Sequence, residues 1–131
     1  MHRTYYDQKL DTYTTPSSLN WYDIPDISIL VQIDAGESVY FSFTCIALID
    51  PLTAVAQISF RLKIDGFSII DSWTTVGPTS TGISDIFLSV AFQWRNASLS
   101  VGAHTVVVET RRDCAGTSYI DNCVLLVQTY T

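Results

Sequence analysis

The chain has 131 residues, of which 47% are hydrophobic and only 15% charged, and its 7 Lys and Arg against 13 Asp and Glu give a formal net charge of −6. That length supports one compact core without help from metal or disulfide, and the apolar content excludes a disordered chain. The acidic balance argues against nucleic acid, whose phosphates require clustered Lys and Arg, and no run approaches the ~20 apolar residues that would insert in a membrane.

Residues 1–18 read as an N-terminal arm. The opening Met1-His2-Arg3-Thr4-Tyr5-Tyr6-Asp7 lacks the apolar stretch of a secretory signal. Tyr5, Tyr6, Asp7, Thr12, Tyr13, Thr14 and Pro16 follow no clear period. The spacing then predicts strands near 19–24, 27–33, 38–48, 55–64, 67–74, 84–96, 103–112 and 120–130. Val39, Phe41, Phe43 and Cys45 alternate with Tyr40, Ser42 and Thr44, and Ile58, Phe60, Leu62 and Ile64 alternate with Gln57, Ser59, Arg61 and Lys63. Asp65-Gly66 comes next and predicts a tight type I′ hairpin. Ile86, Leu88, Val90, Phe92 and Trp94 form the longest inward row. Breaks fall at Pro25-Asp26, Asp34 to Glu37, Asp50-Pro51, Gly77 to Gly82, Ser100 to Gly102 and Ala115-Gly116. Lys and Glu occur twice each while Thr, Ser, Ile, Val and aromatic residues dominate, so helix is disfavoured throughout. The expectation is all-β: residues 19–131 as one two-sheet antiparallel β-sandwich of about eight strands, jelly roll or immunoglobulin-like.

Three tracts carry a resemblance. Leu99-Ser100-Val101-Gly102-Ala103-His104-Thr105-Val106-Val107-Val108, the closing Leu125-Leu126-Val127-Gln128-Thr129-Tyr130, and Gly36-Glu37-Ser38-Val39-Tyr40-Phe41-Ser42-Phe43 together resemble the tumour-necrosis-factor/C1q-type jelly roll. They also resemble the small jelly rolls of bacteriophage and archaeal-virus surface proteins. The resemblance implies a trimer packed through one sheet and a role in binding or assembly. It transfers no ligand-contacting residue.

Catalytic constellations are not evident. There is no Gly-x-Ser-x-Gly elbow and no His-x-x-x-His pair. His104 at a strand edge reads as a structural hydrogen bonder, and Asp26, Asp34, Asp50 and Asp65 fall at turns, where they stabilise backbone geometry. No cofactor and no metal site is expected, because Cys and His do not recur at ligand spacing. Cys45 falls in an inward register and reads as a small buried hydrophobe. Cys114 and Cys123 could clasp the last hairpin as a disulfide, although the register there requires a bulge or a wider loop. Such a bond would fit an extracellular or virion setting.

The aromatic residues point to partners. Trp21 and Tyr22 are adjacent, so on a strand they face opposite ways. Phe87, Ala91 and Val107 fall opposite the inward rows and suggest a partly apolar second face that another subunit covers. Together with Tyr5, Tyr6 and Tyr13 of the arm, these are the candidate contacts. The reading that follows is a non-enzymatic virion decoration, spike or capsid-associated subunit, forming homo-oligomers with a trimer favoured and gripping a neighbour with its arm. Its place is a virion or the outer surface of a particle, and a capsid protein or cell-surface glycan is a further partner. The alternative is a carbohydrate- or receptor-binding module that stacks sugars on Trp21 or Trp73. On this reading, removing residues 1–16 leaves a folded sandwich and weakens assembly, and a charge at Phe87 dissociates the oligomer.

Overall fold

β-branched and aromatic residues at every second position make strands with one face buried, and the chain forms ten of them among its described residues: β1 (Arg3–Lys9), β2 (Tyr13–Thr15), β3 (Tyr22–Ile33), β4 (Ser38–Asp50), β5 (Gln57–Ile64), β6 (Phe67–Ser68), β7 (Thr74–Val76), β8 (Ile86–Asn96), β9 (Gly102–Asp113) and β10 (Thr117–Tyr130). The computed structural model describes residues 2–16, 19–50, 57–77, 86–96, 99–113 and 117–131, and the side chains of all of these except Asp50, Ile86 and Phe87. One sheet, sheet A, has the order β1-β10-β4-β8, with β2 also on β10. The other, sheet B, has the order β3-β9-β5-β6, with β7 also on β5. Every pairing is antiparallel.

The pairings nest. β1 takes β10 and β4 takes β8 in sheet A, while β3 takes β9 and β5 takes β6 and β7 in sheet B. Successive nested pairs therefore alternate between the sheets, as in one long hairpin wrapped around a barrel axis. That order is the jelly roll, which periodicity alone left open against an immunoglobulin-like order.

The core lies between the sheets. Phe43 is fully buried and meets Phe60 of the opposite sheet at 5.8 Å and Phe92 of the neighbouring strand at 5.5 Å between ring centroids. Phe41 packs on Trp94 at 5.6 Å. Ile24, Ile27, Ile33, Ile49, Ile58, Leu62, Ile120 and Leu125 fill the space around them. Each such side chain contributes roughly 1.5–3 kcal/mol through removal from water. Cys45 is buried in this layer, as its register requires.

The arm is the main departure from the sequence reading. Residues 3–9 pair with Lys9 opposite Cys123 through Arg3 opposite Thr129, and residues 13–15 pair with β10 further along. The segment set apart as 1–18 thus contains the first strand of the jelly roll. Its strand character is hidden because its inward row is Arg3, Tyr5, Asp7 and Lys9, polar residues that look unlike a core. They point inward at the rim of the sandwich, where they serve the edge of β3. The Ser28 N–H donates to Asp7 Oδ2 at 2.9 Å, and the Gln32 N–H donates to the Tyr5 hydroxyl at 3.2 Å. Lys9, buried, reaches Asp11 at 2.9 Å and Asp26 at 3.4 Å.

Two smaller differences have local causes. The predicted strands 19–24 and 27–33 are one strand with an irregular pairing between Asp23 and Ser28. Pro25 and the positive φ of 63° at Asp26 interrupt the ladder, which an edge strand tolerates. The predicted strand 67–74 is split by a 3-10 turn at Ile70–Ser72, so β6 and β7 share β5 as partner. Ser72 holds the split, its hydroxyl donating to the Ile69 carbonyl at 2.6 Å and accepting the Leu62 N–H at 2.8 Å.

The Asp65-Gly66 hairpin forms with φ of 52° and 83°, the left-handed pair that a type I′ turn needs. Asp65 then reaches across to β9. Its Oδ1 accepts the Thr105 N–H at 2.8 Å, and its Oδ2 meets His104 Nδ1 at 2.6 Å, while His104 Nε2 faces the Ser100 carbonyl at 2.7 Å. Both imidazole nitrogens face acceptors. The Ser100 carbonyl and then Asp65 raise the His104 pKa above its ordinary value, and the Thr105 N–H and then His104 lower that of Asp65. His104 is a clasp between two loops, in agreement with its structural reading.

Three outcomes are expected. Deletion of residues 1–16 strips one edge of β10 and uncovers β3, so the remainder should lose its cooperative thermal transition by circular dichroism; a truncated chain that melts like the full one would restore the arm. Phe43→Ala should cost about 3–5 kcal/mol in a denaturant titration. For the clasp, the His104 contribution is complete below the unfolded value of about 6.5 and fades as pH rises through the raised folded value. The Asp65 contribution is present above the ordinary carboxylate range and fades as pH falls through its lowered value. The denaturant midpoint of the wild type should therefore fall as pH rises from about 6.5 through the raised His104 value, and this fall should be missing in His104→Asn. Parallel curves for the two proteins would remove His104 from this role.

Candidate functional site: the outer faces of the two sheets

Alternation that buries one side of a strand leaves the other for solvent or a partner, and the two sheets use that side differently. On sheet A the register builds rows across four strands: Tyr6, Leu126, Ser42, Gln93 and then Gln8, Val124, Thr44, Ala91. Further along, Asp121, Ile46 and Ser89 align, as do Tyr119 and Leu48. At the opposite end the row is Thr4, Gln128, Tyr40, Arg95. Across these rows only Arg95 and Asp121 carry charge. Tyr6 is 57% exposed and Ile46 38%. An open cleft of about 580 Å³ lies at the Arg95 end, bounded by His2, Arg3, Tyr40, Gln128 and Tyr130. Behind it Arg3 pairs with Glu37 at 2.8 Å and Asp34 at 2.9 Å. The Glu37 carboxyl is held below its usual pKa first by the Asp34 N–H and then by Arg3, which keeps the β3–β4 turn closed.

Sheet B presents cations and indoles. The Arg61 guanidinium lies 3.9 Å from the centroid of Trp21, and Trp21 meets Trp73 edge-on at 5.1 Å. Arg111 stands 5.9 Å from Trp21 and 5.7 Å from Trp73. Glu109 Oε1 accepts from Arg61 Nε at 3.1 Å and from the Ser68 hydroxyl at 2.6 Å, and Lys63 pairs with Asp23 at 2.7 Å. The Trp73 Nε1–H donates to Thr75 Oγ1 at 2.9 Å. The 3-10 turn before β7 places Trp73 here, with 43% of its surface exposed. Cation–π contacts of this kind are worth about 0.5–1 kcal/mol each when exposed.

The residues singled out from the sequence do not form one surface. Tyr6 lies on the outer face of sheet A, but Tyr5 is half-buried with its hydroxyl on β3, and Tyr13 is half-buried against the core. Burial and then the neighbouring Tyr22 raise the Tyr13 phenol. Ala91 is exposed on sheet A, whereas Val107 sits between Ser28 and Lys63 on sheet B, on the opposite side of the molecule. Phe87 pairs through its backbone with Leu48, and its side chain lies outside the described residues. Trp21 reaches the outer side of sheet B, while Tyr22 begins β3 opposite the buried Thr110. Cys114 lies outside the described residues, so its pairing with Cys123 is not placed; Cys123 is a buried free thiol. The joining of Arg61, Arg111 and Trp73 escaped the sequence reading. Its signal was the parity that sets Arg61 and Arg111 on one outward face. Among the described residues no group of three or more His, Cys, Asp or Glu could hold a metal ion, and no helix is long and apolar enough to cross a membrane.

No protein-family model matches the chain, and no curated protein matches it. Solved structures do. A structure of infectious bursal disease virus, Gx strain, aligns with a TM-score of 0.57 at 13% identity, over 98% of this chain and 33% of that one. The VP2 subviral particle of the same virus aligns with a TM-score of 0.55 at 15% identity, over 97% of this chain and 32% of that one. Dimeric latent PorU from Porphyromonas gingivalis aligns with a TM-score of 0.54 at 8% identity, over 98% of this chain and 12% of that one. The chain thus spans a third or less of each of these proteins, and what it has in common with them is the jelly-roll fold.

Proposed function

We propose that this chain is a non-enzymatic structural subunit of an assembly, a virion decoration, spike or capsid-associated jelly roll. It meets copies of itself, a trimer first among them, or a capsid protein through the outer face of sheet A. The single observation behind the reading is the near absence of charge on that face, where Val124, Leu126, Ile46 and Leu48 are framed by Tyr6, Tyr40 and Tyr119. Depletion of Lys, Glu and Asp with enrichment of Tyr marks the centre of protein interfaces, and a free small domain ordinarily carries more surface charge. Size agrees. Four strands ~4.8 Å apart with ~3.3 Å per residue make a face of several hundred Å², comparable to the roughly 800 Å² that one partner contributes to a specific interface. The fold in common with infectious bursal disease virus particles is compatible with this class of role and supplies none of the contacts.

A second reading, a glycan- or receptor-binding module, rests on Trp73. Its exposed ring is held by Thr75 and Trp21 beside the Arg111 guanidinium, an arrangement suited to stacking a sugar ring. The two readings use opposite faces and are compatible.

Leu126→Arg combined with Ile46→Arg should convert the oligomer to a monomer by light scattering while leaving the far-ultraviolet circular dichroism unchanged. A wild-type protein of monomer mass at roughly 50 μM would end the self-assembly reading. Trp73→Ala should weaken binding to an immobilised glycan panel about ten-fold, as loss of on the order of 1.4 kcal/mol implies, with the oligomer mass unaffected. Equal signals from both proteins would dismiss the glycan reading.

A further inference from the structure

The inner face of sheet A brings together two cysteines that lie far apart in sequence. Cys45 is on β4 and Cys123 on the adjacent β10. Pairing runs in register to Asp121 opposite Ile46 and resumes at Val124 opposite Thr44, so Asn122 and Cys123 together stand opposite Cys45. This is a β-bulge, two residues against one. Asn122 takes a φ of 52°, which Asn accepts more readily than most residues. The extra residue resets the alternation. Ile120 points inward and Asp121 outward, so strict period 2 would turn Cys123 outward; instead Asn122 is exposed and Cys123 is fully buried beside Leu125. Both are buried free thiols in this structure, on the inner face at the same place in the β4–β10 register. Neighbouring strands ~4.8 Å apart fall within the Cα separations of about 4.4–6.8 Å that a disulfide spans.

We infer that Cys45 and Cys123 are a cross-linking pair, joined by a disulfide that ties β4 to β10 and forms during folding by exchange with a small-molecule disulfide such as oxidised glutathione. The thiolate of one cysteine attacks the small disulfide, forming a mixed disulfide and releasing one thiol. The second cysteine, deprotonated, attacks the protein sulfur of that intermediate and releases the second thiol. The pair gives up two electrons and two protons, and the small disulfide is reduced to two thiols. The folded dithiol is a poor reactant, since the neighbouring Cys123 and then burial hold the Cys45 thiol protonated within the core. Exchange therefore belongs to the folding chain, and the finished bond is shielded from reductant by the same core. The link closes a loop of about 80 residues, a length at which cross-linking strongly restricts the unfolded chain. Such a link suits a protein of an oxidising compartment or particle exterior.

The test is a disulfide map. The reduced, denatured full chain is refolded in mixed reduced and oxidised glutathione, quenched with acid, alkylated with iodoacetamide in guanidinium so that every remaining thiol reacts, digested without reduction and read by mass spectrometry. The Cys45 and Cys123 peptides should appear linked and Cys114 alkylated. Cys114→Ala should give the same link, and its oxidised form should unfold at higher denaturant than the same protein kept in dithiothreitol. A link from Cys114 to Cys123, or three alkylated cysteines in wild-type protein that has refolded, overturns the inference.

Discussion

β10 is paired along both of its edges, to β1 and β2 on one side and to β4 on the other, and the sandwich depends on that double pairing. Its inward row of Ile120, Cys123, Leu125 and Val127 is fully buried, so the last strand of the chain is a central strand of sheet A. The first strand must arrive from the far end of the sequence to complete it. Nested long-range pairing of this type closes large loops before any contact rewards them, which makes folding slow and leaves edges open meanwhile. A covalent tie between β4 and β10 would act at this point of the fold.

Once β1 is in place it closes the rim. An exposed β3 would offer its free N–H groups to any passing strand. Asp7 and Tyr5 take two of those donors, and Lys9 bridges Asp11 and Asp26 beside them. Arg3 ties the same strand to the β3–β4 turn through Glu37 and Asp34. A row of polar side chains thus joins the two sheets where the hydrophobic core ends.

The distribution of charge separates the two outer faces. Arg61, Lys63 and Arg111 gather on sheet B with Glu109 and Asp23 as counter-ions, whereas the centre of sheet A is made of Val, Leu, Ile, Ser, Thr, Gln and Tyr. A water-facing sheet needs the first kind of surface; a partner-facing sheet tolerates the second. The indoles of Trp21 and Trp73 do not depend on that contact. They belong to a cationic cluster whose geometry is complete within one chain.

What this sequence determined alone was local. Alternation along Val39–Ile49 and Gln57–Ile64, the Asp65-Gly66 turn and the inward place of Cys45 follow from steric rules acting over a few residues, and all of them are present in the structure. The strand at Arg3–Lys9 was hidden because its inward residues are polar and find their partners on β3, some twenty residues away. The split of residues 67–76 around Ser72 was hidden for the same reason, since β5 supplies the N–H that Ser72 caps. Strand order, the bulge that turns Cys123 toward Cys45 and the meeting of Arg61, Arg111, Trp21 and Trp73 were decided only in three dimensions. Period 2 states which side of a strand is apolar, but which strand lies next to which is set by the balance of all long-range pairings together.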